Sequence, residues 1–245
     1  MTPAGTGGHA ALVAALRARL AVGRDGNDAL PGYAAHGEMA PFPSRTDPAV
    51  ISVAGKTGRT AATLVLLYPD ATGAPCLVLT LRQPNLRAHS GQVSLPGGAI
   101  EPGETPEDAA RREASEEIGV EDVDVLGRLT PLYVPPSGFR VWPVVASLGA
   151  RPAFRAQEAE VAALVEVPVA HLVGPAHRRR APRRLDGNPL HAPGTVLDVP
   201  FFAVGGHEVW GATAMMLAEF ARVAADLDAG DLDAGDLAGG PVTRG

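Results

Sequence analysis

The sequence predicts a mixed α+β fold, with several short strands, one helix in the middle and helices towards both ends. Apolar residues recur with helical spacing near both ends of the chain. Short apolar runs bounded by turn-forming residues lie between them, interrupted by one segment with helix start and stop signals. For 245 residues we expect one folded domain with extensions.

The first predicted helix covers residues 9–22, where Leu12, Leu16 and Leu20 recur at intervals of four and the arginines lie off that stripe. This pattern predicts an amphipathic helix that caps the domain. Residues 23–48 are rich in Gly, Pro, Asp and Asn and lack a sustained period. We therefore assign residues 1–50 to an N-terminal helix and a connecting arm over the surface.

Two short apolar runs, 63–68 and 77–81, are separated by turn-forming residues at 69–73, which predicts adjacent strands. These runs open the main domain, which we assign to residues 51–225. Further apolar runs predict strands at 123–126, 141–146, 163–167 and 201–204.

The last helical pattern places Met216, Phe220, Val223 and Leu227 at alternating intervals of four and three, with Gly211 as an entry point. Packing in the core explains both methionines of this segment. From residue 226 the chain repeats Asp-Leu-Asp-Ala-Gly, a pattern too short for a solenoid and too polar for a core. We expect a disordered acidic tail at 226–245.

Composition argues against several partners. The net charge is -6 and the isoelectric point about 5.6, so the whole chain has no electrostatic attraction to nucleic acid or anionic membranes. A basic run at 177–184 lacks interleaved aromatic residues and is interrupted by Pro182, which favours a solvated loop or hairpin over a nucleic-acid site. Assistance in binding an anionic substrate is a minor alternative.

Cys76 is the sole cysteine, which excludes an internal disulfide and a cysteine-based zinc cluster. Neither a signal peptide nor an apolar membrane span is evident. We expect a cytoplasmic protein without a membrane partner, and a homodimer is compatible with the sequence.

The central helix is predicted over residues 106–118. Thr105 is an N-cap candidate, Pro106 suits the first helical position, and Asp108 adds negative charge where the helix dipole favours it. Gly119 can adopt the left-handed conformation that ends helices.

Glu113, Glu116 and Glu117 lie at positions i, i+3 and i+4 of this helix, so their carboxylates share one face. At about 5 Å and an effective dielectric of about 20, each pair repels by roughly 3 kcal/mol. A cation between them would relieve that repulsion, and oxygen ligands suit Mg²⁺ or Mn²⁺. A solvated acidic face is the alternative, and three glutamates alone would favour it.

The preceding loop makes a metal site the better interpretation. Glycines at 97, 98 and 103 allow a ligand to approach the backbone closely. Gly98, five residues, Glu104, seven residues and then Arg-Glu-Ala-Ser-Glu-Glu-Ile-Gly-Val at 112–120 resemble the Nudix box. Ala114 stands where a bulkier aliphatic residue is usual, which affects packing under the helix and not the ligands.

The resemblance implies an α/β/α sandwich with a mixed β-sheet and metal-dependent hydrolysis of a nucleoside diphosphate linked to another group. It implies Glu113 and Glu117 as principal metal ligands with Glu116 close by, and Glu104 and Arg112 as the groups that orient the helix. Glu160, placed where related enzymes carry a glutamate base, is a candidate base or a plain surface acid. The candidate catalytic residues are thus Glu104, Arg112, Glu116 and Glu160.

Residues 78–98 also resemble the signature of coenzyme A pyrophosphatases. There are two departures: Gln83 stands where serine or alanine is usual, and Leu95 stands where phenylalanine is usual. Residues 137–143 and 210–214 resemble the same subgroup, so the resemblance spans roughly 58–225. Arginine suits phosphate because its guanidinium donates two parallel hydrogen bonds, although a surface ion pair is an alternative for each arginine. His89 fits the signature but is more typical of a structural hydrogen bond. The candidate substrate-binding residues are Arg82, Arg87, Gly97, Gly98 and Ser137.

Such an enzyme would split coenzyme A into adenosine 3′,5′-bisphosphate and 4′-phosphopantetheine. One alternative is another Nudix substrate, chiefly ADP-ribose, because Pro135 lies fifteen residues beyond Val120, near where that subgroup has a proline. An alternative from another class is a regulatory module that binds a nucleotide metabolite without turning it over.

Overall fold

A mixed β-sheet with helices on both faces forms the centre of the protein. The structure is a computed structural model and describes residues 8–22, 30–41, 48–84, 91–184 and 192–236. The helices are α1 (Gly8–Val22), α2 (Gly32–Glu38), α3 (Pro48–Ile51), α4 (Pro106–Ile118), α5 (Val169–Val173) and α6 (Gly211–Asp236).

Within the described residues, eight strands form the main sheet, in which β1 and β7 run parallel and the other neighbours antiparallel. Three more strands form a second sheet in the order β11-β10-β9. The main sheet contains β1 (Thr60–Pro69), β2 (Pro75–Arg82), β3 (Val93–Ser94), β4 (Gly97–Ala99), β5 (Asp124–Arg128), β6 (Leu132–Val134), β7 (Phe139–Ser147) and β8 (Val161–Pro168). The second sheet contains β9 (Arg178–Arg184), β10 (Val196–Val204) and β11 (His207–Trp210).

Strand β1 separates two hydrophobic cores. Leu64 and Leu66 face α4 and pack with its buried alanines, including Ala114. Val65 and Leu67 face the opposite layer, where α1 and α6 pack. Since side chains alternate across a strand, a run of apolar residues supplies both faces at once. The predicted α+β class and mixed sheet are confirmed.

The predicted helices at 9–22, 106–118 and around Met216 are present as α1, α4 and α6. Each predicted strand overlaps an observed one, with ends that differ by a few residues. Strands β3, β4, β6 and β11 were not predicted, because they are short, polar or rich in glycine, and the basic run that forms β9 was predicted only as a solvated loop or hairpin. These segments form strands because they pair with other strands of their sheets, which a local sequence pattern does not reveal.

The segment predicted as a surface arm contains the short helix α2, which is partly buried. His36 is fully buried there, with Nε2 at 2.9 Å from a carboxylate oxygen of the equally buried Glu219 on α6. Glu219 also accepts hydrogen bonds from the backbone of Gly32 and from the backbone and hydroxyl of Thr130. A distant side chain thus holds α2 in place, which local sequence could not reveal.

Helix α6 ends at Asp236 and so includes the first eleven residues of the segment that we predicted to be a disordered tail. No proline interrupts 211–236, so a helix that starts in the core can continue. Residues 237–245 lie outside the described part of the chain.

The basic run forms β9, which pairs with β10 at an edge of the second sheet. This arrangement agrees with the predicted hairpin, and Pro182 stands on an edge strand, where proline is tolerated. Among the described residues, no helix has both the length and the apolar character needed to cross a membrane.

Candidate active site

Strand β4 brings two glycines of the candidate site against helix α4. Gly97 and Gly98 pair with Thr63 and Ala62 of β1. A Cβ built on Gly97 would lie 2.7 Å from the Cα of Thr63, and one built on Gly98 would lie 2.7 Å from Oε2 of Glu113. Both positions therefore need glycine, Gly97 for close strand packing and Gly98 for contact with a carboxylate.

Helix α4 has the predicted caps. The Thr105 hydroxyl accepts from the backbone N–H of Asp108 at 3.2 Å, and Asp108 in turn accepts from the backbone N–H of Thr105. This reciprocal capping box and Pro106 fix the helix start. Gly119 ends the helix in the left-handed conformation, with φ of 67°.

Arg112 connects most of the acidic residues of the site. Its Nε donates to Glu104 at 2.8 Å, and its Nη1 donates to Glu113 at 2.8 Å and to Glu116 at 3.2 Å. Its Nη2 donates to the carbonyl oxygen of Ala99 on β4 at 2.9 Å. A single guanidinium thereby fixes the helix against the strand.

Glu117 lies in the buried part of the site, with a side chain 5% exposed. Its carboxylate accepts from the backbone N–H of Gly97 at 3.2 Å and lies 3.6 Å from Nη1 of Arg82. Burial raises the pKa of Glu117 to about 7, against the opposing effects of Gly97 and Arg82, and the negative charges of Glu113 and Glu160 raise it further. The site therefore holds a carboxylate that is costly to ionise without a nearby cation.

Glu113 shows the same effect. Burial raises its pKa most, Arg112 opposes that shift, and the charges of Glu116 and Glu160 add to it. Glu116 extends outward, with a side chain 59% exposed. The structure thus brings Glu113, Glu116 and Glu117 to one face of the helix, as predicted from their spacing.

These residues fit a hard divalent cation. The donors are carboxylate oxygens, and burial and mutual repulsion disfavour the charged forms of Glu113 and Glu117. Because Gly98 has no Cβ, the Glu113 carboxylate can lie directly against β4. Across the described ranges, no three acidic, histidine or cysteine side chains already form a metal cage. Instead, a nitrogen of Arg112 lies between Glu113 and Glu116.

Glu160 is exposed and is held beside these glutamates by a backbone strap, residues 155–160. Arg155 and Gln157 donate backbone hydrogen bonds to the last carbonyl groups of α4, those of Ile118 and Glu117, at 2.9 Å each. The carbonyl oxygen of Glu160 accepts from the backbone N–H of Gln83 at 2.8 Å. The strap therefore ties the candidate base to the helix that carries the candidate metal ligands.

Gln83 has a role that the sequence did not indicate. Its Nε2 donates to the carbonyl oxygen of Glu158 at 2.8 Å, inside the strap. This residue departs from the coenzyme A pyrophosphatase signature, and that departure was the available signal. Gln83 holds the strap through both its backbone and its side chain.

Two predicted substrate-binding residues differ in how the structure places them. Arg82 lies at the site beside Glu117, whereas Ser137 lies in the turn between β6 and β7 and donates its hydroxyl to the carbonyl oxygen of Val134 at 3.3 Å. Arg87 and His89 lie outside the described residues.

A family model described as NUDIX domain matches residues 58–186. A Pectobacterium atrosepticum protein named uncharacterized Nudix hydrolase NudL is 45% identical over 114 residues, which are 45% of this chain and 58% of that protein. A Yersinia pestis protein of the same name is 33% identical over 171 residues, which are 68% of this chain and 80% of that one. The structure of a Nudix hydrolase from M. smegmatis, RenU, is 24% identical with a TM-score of 0.42, over 69% of this chain and 87% of that one.

Proposed function

Because this chain belongs to the Nudix hydrolase family, we propose that it is a metal-dependent pyrophosphatase that hydrolyses the diphosphate of coenzyme A or its derivatives. The products would be adenosine 3′,5′-bisphosphate and 4′-phosphopantetheine. The observation that carries the proposal is the cluster of Glu113, Glu117 and Glu160 beside Gly97 and Gly98, where burial and mutual repulsion raise the pKa values of Glu113 and Glu117.

Glu113 and Glu117 would hold Mg²⁺ or Mn²⁺, with Glu116 at the solvent side. Bound there, the cation supplies positive charge against the phosphate oxygens and acidifies the attacking water. Arg112 would keep Glu104 and the backbone of β4 in place around it.

Glu160 would accept the proton of the water that attacks phosphorus. The new phosphorus–oxygen bond forms as the bond to the bridging oxygen breaks, and that oxygen leaves with the electron pair on the other phosphate. Exposure of Glu160 suits this role because the group must meet a water molecule and release its proton to solvent.

Arg82 would contact the diphosphate. Its guanidinium lies 3.6 Å from Glu117 and its side chain is partly exposed, so it can contact the buried carboxylate and still reach a ligand. We propose coenzyme A over other Nudix substrates because residues 78–98, which include Arg82, resemble the signature of coenzyme A pyrophosphatases. Thr80, which fits the signature of coenzyme A pyrophosphatases in this stretch, is buried and its hydroxyl bonds to Ser94. This contact joins β2 to β3, the strand that precedes β4 in the chain.

Pro135 gives less support to ADP-ribose. It stands in the turn between β6 and β7, which the backbone N–H of Gly138 closes by donating to Val134 at 2.9 Å. A turn explains a proline without reference to substrate. The gathered carboxylates likewise favour turnover over a regulatory binding module.

The test is chromatographic product analysis with Mg²⁺ or Mn²⁺, offering coenzyme A, ADP-ribose, NADH and 8-oxo-dGTP separately at matched concentration. We expect adenosine 3′,5′-bisphosphate from coenzyme A as the fastest product. Preference for ADP-ribose would keep the chemistry and overturn the substrate. No hydrolysis of any compound would favour the regulatory module.

A further inference from the structure

Three cations lie at the end of the sheet where β1 and β7 begin, and we call Lys56, Arg59 and Arg140 the cationic rim. Arg140 pairs with Thr60 across β7 and β1, and its backbone N–H donates to the carbonyl oxygen of Arg59 at 2.9 Å. Lys56 lies next to the same strand end, over the ring of Tyr133, which is the cross-strand partner of Arg140. Backbone pairing therefore brings the rim together.

The rim lacks a neutralising acidic partner among the residues that the structure describes. Among the described residues, no carboxylate forms an ion pair with any of its three members. This is notable in a chain of net charge -6. Several arginines elsewhere are paired: Arg17 with Asp124, Arg128 with Glu107, Arg151 with Glu166, Arg180 with Asp198 and Arg183 with Glu208.

Aromatic rings hold all three cations. The centroid distances are 5.3 Å from Lys56 Nζ to Tyr133, 4.2 Å from Arg59 Cζ to Phe139 and 5.6 Å from Arg140 Cζ to Trp142. Stacking fixes a guanidinium while its N–H groups stay free to donate in its plane. The buried Nε of Arg140 has no hydrogen-bond acceptor in the described part of the protein. Within the described ranges, the rim is thus an ordered set of cationic donors that no carboxylate neutralises.

The rim shares a sheet end with the candidate active site. Trp142 pairs with Ala62, and Ala62 pairs with Gly98, whose Cα lies against Glu113. Thr60 links Arg140 on one side to Ile100 on the other. Neighbouring strands lie about 4.8 Å apart, so the backbones of β7 and β4 are separated by roughly 10 Å. A nucleotide whose diphosphate lies at the glutamates can span that distance.

We propose that the cationic rim binds a phosphomonoester on the ribose of the substrate, beyond the diphosphate that is cleaved, with the neighbouring aromatic rings contacting the nucleotide. This inference rests on the proposed function, since coenzyme A carries such a phosphate at its ribose 3′ position. It assigns the rim the role of distinguishing coenzyme A from nucleotides that lack this group.

The experiment compares kcat/KM for coenzyme A and for 3′-dephospho-coenzyme A in the full-length protein with Mg²⁺. The wild type should prefer coenzyme A, and Arg140→Gln or Arg59→Gln should reduce that preference about tenfold, the usual effect of a lost charge-assisted hydrogen bond. Lys56→Met tests the third cation in the same way. Arg179→Gln, an exposed arginine on β9, is the matched control and should leave the preference unchanged.

Binding separates this inference from the proposed function. Calorimetry needs no hydrolysis, and the wild type should bind adenosine 3′,5′-bisphosphate more tightly than AMP, with the difference reduced in Arg140→Gln. That result would support the rim even if coenzyme A is not cleaved. Equal binding of the two nucleotides, or a preference unaffected by all three rim variants, would overturn it. Thermal melting of each variant excludes loss of folding as the cause.

Discussion

Gly98 lies directly against the carboxylate of Glu113, so close that a methyl group on Gly98 would lie 2.7 Å from Oε2. The strand residue and the helix residue are therefore matched in size. Their contact sets the separation between β4 and the carboxylate face of α4. Several consequences of this arrangement can be measured.

Gly98→Ala should lower kcat about 100-fold, because the new methyl group displaces the Glu113 carboxylate, and misplacement of a reacting group by about 1 Å has that effect. Steady-state kinetics with Mg²⁺ measures it. Gly149→Ala is the matched control, since a Cβ there meets nothing within 4 Å. Equal activity of the two variants would show that Glu113 tolerates displacement.

Arg112→Lys should reduce kcat/KM by about 10- to 100-fold, the usual effect of losing a group that orients metal ligands. A lysine ammonium cannot reproduce the five hydrogen bonds that the guanidinium donates to three glutamates and Ala99. Arg111→Lys, on the exposed side of the same helix, should retain activity. The hypothesis fails if both substitutions have the same small effect.

Glu117→Gln should reduce the rate of hydrolysis by several orders of magnitude, because a metal ligand loses its charge. Urea unfolding without metal should show a second effect. Burial raises the pKa of Glu117 from 4.5 to about 7, so between these values the folded state binds more protons than the unfolded state. The contribution of Glu117 to the free energy of unfolding is fully present below pH 4.5. It falls by about 3 kcal/mol as the pH rises through 7.

Glutamine does not titrate, so Glu117→Gln should gain stability relative to wild type at pH 8, and that gain should shrink at pH 5. Glu121→Gln, exposed just beyond the helix, controls for loss of a negative charge. A difference independent of pH would mean that the carboxylate ionises freely in the fold.

Gln83→Ala should lower kcat about two- to tenfold, the value of one hydrogen bond, with little change in KM. The reason is that Gln83 holds the strap at Glu158 and so positions Glu160. A double-mutant cycle tests this route: in a Glu160→Gln background the same substitution should have no further effect. Additive losses would show that Gln83 acts independently of Glu160.

Local chemistry explains which parts were predictable. Helix α4 was predicted with its ends because Thr105, Pro106 and Gly119 act on adjacent backbone. The carboxylate face followed from spacing alone. Strand β4 is rich in glycine and has no strand pattern in its sequence. Its conformation depends on pairing with β1, and its glycine at position 98 is required by the nearby Glu113 carboxylate.

Longer-range contacts explain the parts that were missed. No local pattern links Gln83 to Glu158, or Lys56 to Tyr133, because the sheet brings these residues together. The same is true of His36 and Glu219, which are 183 positions apart.

The hydrogen bonds of Glu219 bear on how this protein can be shortened. A fragment cut at 58–186, the bounds of the family match, would keep every candidate catalytic residue and lose both α2 and α6. Thr130 would lose its buried acceptor, and the face of β1 that carries Val65 and Leu67 would lose its cover. The smallest unit able to fold must therefore reach well past the recognisable motif in both directions.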